Sequence, residues 1–340
     1  MAVKNVAIYP ADKHALPLVK YLEVYNPQMR IEALIAPAGT GAVGKDISVL
    51  DNREGTGRMV ADSATPEALL RCTDLIILPG NPQEPRYVDS QRLIQSATQS
   101  GITIHNFCCP QPKLDFPREG ALYQPKVPII FVAGMLDIVN TTEIALGLGA
   151  AFKRNQYKVA VLAGDETSRL LGEYPVSSFL FEQSLTEVEK IVWLNKYIQH
   201  IAESAKPHVI IVQVPGGFER YSLKTHNTFG VYYYLISQAI LPDAAVLCVP
   251  VNRCENKIIY AVNNACSKRF GFTFDAVHVS NVFIDPLHDE NDGRINFMHD
   301  YPKRVEAVVA GSHENSVPLF NMIENDGING AYECLLRRLT

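Results

Sequence analysis

Short apolar runs alternate with amphipathic stretches along this chain, and the alternation stops once, at a proline-rich interval, before starting again. A strand buried on both faces needs an unbroken apolar run, and the crossover to a parallel neighbour needs a helix with one apolar side. The pattern therefore predicts parallel sheets covered by helices, and the single interruption predicts two of them. Strands are expected at 6–9, 31–36, 75–78 and 102–105, with helices at 13–25, 65–72 and 90–100. After the interruption, strands are expected at 129–133, 158–163, 209–214, 244–249 and 277–282, and helices at 141–157 and 185–205. A chain of 340 residues, 47% of them hydrophobic, has apolar material for two ordinary cores.

Proline removes a backbone donor and fixes φ, so the interval 108–127, with its prolines at 110, 112, 117 and 125, reads as a linker between domains 1–107 and 128–340. The helix at 185–205 places Leu185, Val188, Ile191, Val192, Ile198, Ile201 and Ala205 on one face, with Ser184 and Glu187 spaced as a capping box. The 31 basic and 36 acidic residues leave a net charge of -5 with no basic stripe, which excludes a dedicated nucleic-acid binder. No apolar run reaches the ~18 residues of a membrane helix, and the first residues turn polar too soon for a secretory signal, so a cytoplasmic protein is expected. The seven cysteines show no C-x-x-C spacing. Cys72, Cys248 and Cys334 read as small buried hydrophobes, and Cys108 with Cys109 as reduced structural thiols.

The apolar run at 129–133 leads into Gly134-Met135-Leu136-Asp137-Ile138-Val139-Asn140-Thr141-Thr142-Glu143, the layout of a P-loop: buried strand, glycine turn, helix start. Such a loop binds phosphate through converging backbone N–H groups, a helix N-terminus and a lysine, and here the lysine is missing. In the spacing G-x-x-x-x-G-K-[ST], Val139 and Asn140 replace glycine and lysine. In the longer spacing of dethiobiotin synthetase-like proteins, Asn140 and Thr141 do, and Thr142 keeps the metal-binding hydroxyl. The longer register fits the helix that follows better. Asp137 and Glu143 also oppose an anion, since like charges ~4 Å apart repel by about 4 kcal/mol at an effective dielectric near 20. Two readings stay open. In one, Asn140 caps the helix, Glu143 completes a capping box and the loop serves the fold. In the other, the loop binds something less anionic, such as a cation, an amine or a neutral nucleoside.

A second string supports the assignment: His208-Val209-Ile210-Ile211-Val212-Gln213-Val214-Pro215-Gly216-Gly217 reads as strand and glycine turn. Simibi-class P-loop proteins carry an aspartate there that holds Mg²⁺ through water, and here it is Gln213. In the first domain, Gly39-Thr40-Gly41-Ala42-Val43-Gly44-Lys45-Asp46 satisfies G-x-G-x-x-G, with Asp46 in the hydroxyl place of the Walker pattern. It follows the second expected strand, and 47–51 looks extended where either motif demands a helix. Lys45 or Arg169 is a candidate to supply the missing charge across a crevice between domains. Near the C-terminus His278, His288, His299 and His313 fall close to Asp285, Asp289, Glu290, Asp292 and Asp300, without metal-ligand spacing, so a polar turn is expected and no metal site.

Assembled, these residues resemble the family of peptide maturation system proteins, found beside radical-SAM maturases and Cys-rich precursor peptides. The resemblance covers nearly the whole chain. It rests on the 37–46 string, on Glu187-Val188-Glu189-Lys190-Ile191, on Pro207-His208-Val209 with Val214-Pro215-Gly216-Gly217, on Thr225-His226-Asn227-Thr228-Phe229-Gly230, and on Ser237-Gln238-Ala239 with Pro242-Asp243-Ala244. Fold-level similarity to simibi-class proteins implies two parallel-sheet α/β domains, the N-terminal one Rossmann-like and the C-terminal one a degenerate P-loop NTPase-like domain. The resemblance implies an accessory protein in the maturation of a ribosomal peptide natural product. Its partners would be a precursor peptide, a carrier protein or the maturase; homodimerisation is compatible with it and no cofactor is required. The alternatives are a nucleotide-dependent ligase or transferase, with or without Mg²⁺, and then a metal-dependent hydrolase. The resemblance carries over no catalytic residue. Polar residues beyond the carboxyl ends of strands face the ligand crevice, which singles out Asn227 and the Gly216-Gly217 turn.

Overall fold

The computed structural model describes residues 3–53, 55–64, 66–79, 89–108, 115–176, 180–285, 290–291, 293–311 and 316–340. They form two compact units, Met1–Lys113 with Asp165–Glu173, and Leu114–Gly164 with Tyr174–Thr340. Each is built on a parallel sheet, so the chain has the α/β class that its alternation predicts.

The first unit contains β1 (Lys4–Tyr9), α1 (Leu16–Tyr25), β2 (Met29–Ala36), β3 (Val60–Asp62), β4 (Asp74–Ile77), α2 (Ser90–Gln99) and β5 (Thr103–Asn106). Its strands lie in the order β3-β2-β1-β4-β5, all parallel, a Rossmann-like arrangement that reverses direction between β1 and β4. The three residues of β3 are too few to announce themselves by alternation. The helix expected at 65–72 is only a 3-10 turn, Pro66–Leu69. In its described part only Leu69 and Cys72 are buried, two points of contact where a helix needs a stripe.

The second unit contains β6 (Ile129–Gly134), α3 (Thr141–Arg154), β7 (Val159–Leu162), α4 (Glu187–Ala205), β8 (Val209–Gly217), α5 (Val231–Ala239), β9 (Ala244–Pro250), α6 (Asn256–Phe270) and β10 (Ala276–Ser280). Short strands β11 (Val282–Ile284), β12 (Glu290–Asn291), β13 (Arg294–Ile295) and β14 (Phe297–His299) follow, then α7 (Pro302–Ala310), β15 (Leu319–Phe320) and α8 (Asn325–Leu339). The main sheet has the order β15-β10-β9-β6-β8-β7, all parallel. Every residue of β6 and β9 is buried, which is why both read as unbroken apolar runs. Each large side chain so buried, Phe131 for one, contributes roughly 1.5–3 kcal/mol.

Two features of α4 differ from the expectation. Its capping box is Thr186 with Glu189, two residues beyond Ser184 and Glu187. Its buried stripe runs through Trp193, Leu194, Tyr197, Ile198 and Ile201, while Val188 is exposed. The aromatic side chains decide the rotation: Phe116 meets Trp193 edge-on at 5.1 Å and lies 5.7 Å from Tyr197. Asn195 completes the attachment, its side chain accepting from Tyr123 N–H (2.7 Å) and donating to Tyr123 C=O (2.9 Å). The described part of the proline-rich interval is thus tied to a helix although it forms no element of its own. Cys109 lies outside the described residues, and Cys334 is half-buried where full burial was expected. Among the described residues no helix is long and apolar enough to cross a membrane.

Candidate functional site

The main sheet of the second unit changes direction at β6: the chain builds β8 and β7 on one side, and β9, β10 and β15 on the other. Ligand crevices in open α/β sheets form at such a switch, outside the carboxyl ends of the strands. The loop from Gly134 to Asn140 occupies that place. It is wound tightly: a Cβ on Gly134 would stand 2.5 Å from the Leu136 carbonyl oxygen and 2.8 Å from Val139 Cγ2. Met135 N–H donates to Cys248 C=O (2.8 Å), and the Tyr233 hydroxyl donates to Gly134 C=O (2.8 Å). Burial pushes the Tyr233 phenol well above its ordinary pKa, so it stays a neutral donor.

Gln213, on β8 and 6% exposed, closes the loop from the side. Its Oε1 accepts from Gly164 N–H (2.7 Å) and its Nε2 donates to Thr141 Oγ1 (3.0 Å). In phosphoryl-transfer sites the acid of the neighbouring strand and the loop hydroxyl meet at Mg²⁺; here an amide and the hydroxyl bond to each other. The hydroxyl that Gln213 reaches is that of Thr141, which matches the shorter spacing, with Val139 in the place of the second glycine and Asn140 in that of the lysine. Thr142 is half-buried one residue further along α3. Asn140 is not the expected side-chain cap, and no capping box forms with Glu143. Its Oδ1 instead accepts from Ser280 Oγ (2.7 Å) at the end of β10. Glu143 is 3% exposed in the first turn of α3, where the helix dipole favours its charge and a bound anion would meet it.

The third component is a turn that the sequence does not announce. Asn227, Thr228, Phe229 and Gly230 have φ of 46°, 58°, 56° and 76°, four consecutive left-handed residues, three of them with side chains. Each of the three with a side chain costs roughly 1–2 kcal/mol, and a β-branched residue there is an outlier. Side-chain bonds offset the cost. Asn227 accepts from Asp137 N–H (3.1 Å) and donates to the carbonyls of Met135 (3.2 Å) and Glu219 (2.7 Å), while Thr228 Oγ1 accepts from Gly217 N–H (3.0 Å). Glycines make the room. A Cβ on Gly216 would lie 2.2 Å from Thr228 Oγ1, on Gly217 2.0 Å from Asn227 Nδ2, and on Gly230 2.3 Å from the Phe218 carbonyl oxygen. The structure therefore brings Gly134, Asp137, Asn140, Thr141, Gln213, Gly216, Gly217 and Asn227 together around the loop. Thr228, Gly230, Tyr233 and Ser280 gather there as well. The only sequence signal for them was the spacing of Gly216, Gly217 and Gly230 around a polar pair.

Gly39, Gly41 and Gly44 belong to the first unit, so the two glycine loops do not share a unit. All three have φ near +80° (83°, 76° and 77°) with open space where a Cβ would stand. Gly44 N–H donates to Val60 C=O, and Val60 N–H to Lys45 C=O, pinning the loop to β3. The stretch expected to be extended is a 3-10 turn, Ile47–Leu50, whose cap is Asp46. The Asp46 carboxylate accepts from the N–H groups of Ser48 (2.9 Å), Thr56 (3.1 Å) and Arg58 (3.1 Å) and from the Thr56 hydroxyl (3.0 Å). Burial works against its charge, and the bonds from Ser48 and Thr56 outweigh it, holding the carboxyl well below the usual range. Of the loop's own amides, Gly44 N–H is held by Val60 C=O and Lys45 N–H by Ala42 C=O (2.9 Å each). Asp46→Ala is expected to lose about 1–2 kcal/mol of local stability, measured as faster amide exchange at Ser48, Thr56 and Arg58. Because the folded pKa is depressed, the contribution is present above the unfolded value of about 4 and lost as the pH falls below it. The two proteins should therefore converge only in strong acid. Lys45 is exposed, and Arg169, also in the first unit, pairs with Glu166 at 2.6 Å.

His288, Asp289, Asp292 and His313 lie outside the described residues. His278 is fully buried, its Nδ1 accepting from Met322 N–H (3.1 Å), and among the described residues no three His, Cys, Asp or Glu converge as metal ligands. Beside the loop of the second unit a cavity of about 530 Å³ opens, with Met135, Leu136, Phe218 and Asn227 in its lining.

No family model matches the chain, and no curated protein does. Among solved structures, a DUF1611 family protein from Anabaena variabilis is similar over 98% of this chain and 99% of its own, with a TM-score of 0.62 at 13% identity. That likeness is one of fold. A nucleotide-binding protein from Archaeoglobus fulgidus in complex with ADP (60% of this chain, 87% of its own, 13% identity) has a TM-score of only 0.31. The signal recognition particle 54 kDa protein of Aeropyrum pernix in complex with GDP (77% and 57%, 13% identity) also stands at 0.31. Both are too distant to bear on this chain.

Proposed function

We propose that the second unit uses a nucleotide-hydrolase scaffold for binding and not for phosphoryl transfer, and that the chain is an accessory protein in ribosomal peptide maturation. The observation that carries the first part is the Gln213 bridge from Gly164 N–H to Thr141 Oγ1. The groups that would hold Mg²⁺ satisfy one another, the lysine position is an asparagine bonded to Ser280, and Asn227 holds the Asp137 N–H. The peptide role is supported by the strings at 37–46, 187–191, 207–217 and 225–230. Its partners on this reading are the precursor peptide, a carrier protein or the maturase.

A ligand that binds only the folded state raises its melting temperature by mass action. ATP, GTP and ADP, with and without Mg²⁺, are therefore expected to leave the melting temperature unchanged, with no phosphate released from the triphosphates. A Mg²⁺-dependent rise accompanied by hydrolysis that Thr141→Ala removes would overturn the binding reading. The peptide role has its own test, titration of the chain with a Cys-rich precursor peptide of the kind that accompanies the family it resembles. Absence of binding to the peptide, the carrier and the maturase alike removes it.

A further inference from the structure

The 530 Å³ cavity is within the size range of small-molecule sites, and its lining is divided by chemistry. Met135, Phe218, Val262 and Ile284 are buried and supply an apolar floor. Arg220 and Lys257 are exposed and Arg253 is half-buried, so the cations stand on the solvent side. Among the described residues one acid, Glu219, lines the cavity with them, and it is engaged by Arg269 at 3.1 Å. Lys257 is paired with Glu255 at 2.8 Å. The guanidinium groups of Arg220 and Arg253 make no hydrogen bond or ion pair with the protein among the described residues.

A guanidinium is a planar fork of donors matched to a carboxylate, and one kept beside an apolar floor without an acid of its own is a receptor for a charge from outside. The floor, in turn, favours an apolar body and disfavours a ligand charged along its length. We propose that this cavity binds a carboxylate carried on an apolar stem, with Arg253 and Arg220 receiving the charge and the Met135, Val262 and Ile284 floor receiving the stem. Two sources present that chemistry: a small fatty or aryl acid, and the C-terminal residue of a peptide with an apolar side chain. The site is adjacent to the closed loop but does not depend on the loop's inability to hydrolyse nucleotide.

The test is calorimetric titration of the full chain with octanoate, and with an acetylated peptide ending in leucine, prepared as free acid and as amide. Saturable octanoate binding is expected, weakened about tenfold or more by Arg253→Met, which removes a charge-assisted bond and keeps the stem. Ala261→Phe, on the exposed edge of the cavity, is expected to weaken it comparably by filling the space without touching a charge. The free acid binding where the amide does not identifies the peptide end as a source; octanoate alone binding identifies the small acid. No saturable binding of octanoate or free acid overturns the inference, as does binding indifferent to both substitutions. ATP titrated in parallel separates the two proposals. Heat from ATP counts against the closed loop whatever octanoate does, and silence from every ligand overturns the carboxylate site alone.

Discussion

Gly217→Ala is expected to destabilise the second unit by about 2–6 kcal/mol, from overpacking of about 1–3 kcal/mol and a similar amount for displaced buried hydrogen bonds. The added Cβ would stand 2.0 Å from Asn227 Nδ2 and 2.3 Å from both Cγ and Oδ1, so the whole amide has to move. When it moves, Met135 C=O, Glu219 C=O and Asp137 N–H lose a partner together. Urea denaturation followed by the fluorescence of Trp193, the sole tryptophan and a residue of this unit, reads the effect. Gly271→Ala is the control. Its φ of +82° charges the new side chain with the backbone penalty, but the nearest atom is Leu241 Cδ2 at an ordinary 3.5 Å, so about 1 kcal/mol is expected. Equal losses at the two positions would mean that Asn227 has room to rearrange and that the assembly around it is not a lock. Gly217→Ala combined with Asn227→Gly should recover part of the loss, because the clash and the side chain it displaces disappear together.

That contrast between two glycines also marks where the sequence was legible. The strands β6, β8 and β9 announced themselves because a parallel strand covered on both faces must be apolar throughout, and Ile129-Ile130-Phe131-Val132-Ala133 can be little else. The β6 loop was legible for a related reason: a glycine between a buried strand and a helix start leaves few alternatives. The register within it was not, because deciding between Thr141 and Thr142 requires knowing which hydroxyl Gln213 reaches, and 72 residues separate Gln213 from Thr141. The left-handed turn at Asn227, Thr228 and Phe229 ran against local preference outright. Gly216 and Gly217 leave the volumes that Thr228 and Asn227 fill, and Gly230 lets the Phe218 carbonyl approach, which is a fact of tertiary space and not of any window of sequence. The face of α4 was legible at Ile198 and Ile201, and at Leu185 just ahead of it, all of them buried, and misplaced at Val188 for the same cause. Val188 has the right spacing, but Trp193 and Tyr197 had a ring, Phe116, to meet. Arg253 gave no signal at all, since an arginine after a strand is ordinary until the absence of an acid beside it can be seen.

Gln213→Glu is expected to leave stability nearly unchanged in mild acid and to lower it by about 3 kcal/mol at neutral pH. A protonated glutamic acid has the shape of the amide. Its carbonyl can accept from Gly164 N–H and its hydroxyl can donate to Thr141 Oγ1, reproducing both wild-type bonds. The ionised form cannot donate, and at 6% exposure it gives up hydration without a cation in return. Burial therefore raises its folded pKa above the unfolded value of about 4.3. The folded state then holds a proton that the unfolded state has released, and stability falls as the pH rises from the unfolded pKa to the folded one, by about 1.4 kcal/mol per unit. Urea midpoints of variant and wild type, taken from pH 4 to 8 through Trp193, should start together and diverge. Parallel curves would mean that position 213 carries a charge without penalty, as a metal-holding aspartate does, and the picture of a neutral, self-satisfied loop would fall with them. Divergence would give the substitution at this position its physical meaning. A carboxylate there obliges the loop to recruit a cation, whereas the amide lets strand and loop close on each other with none.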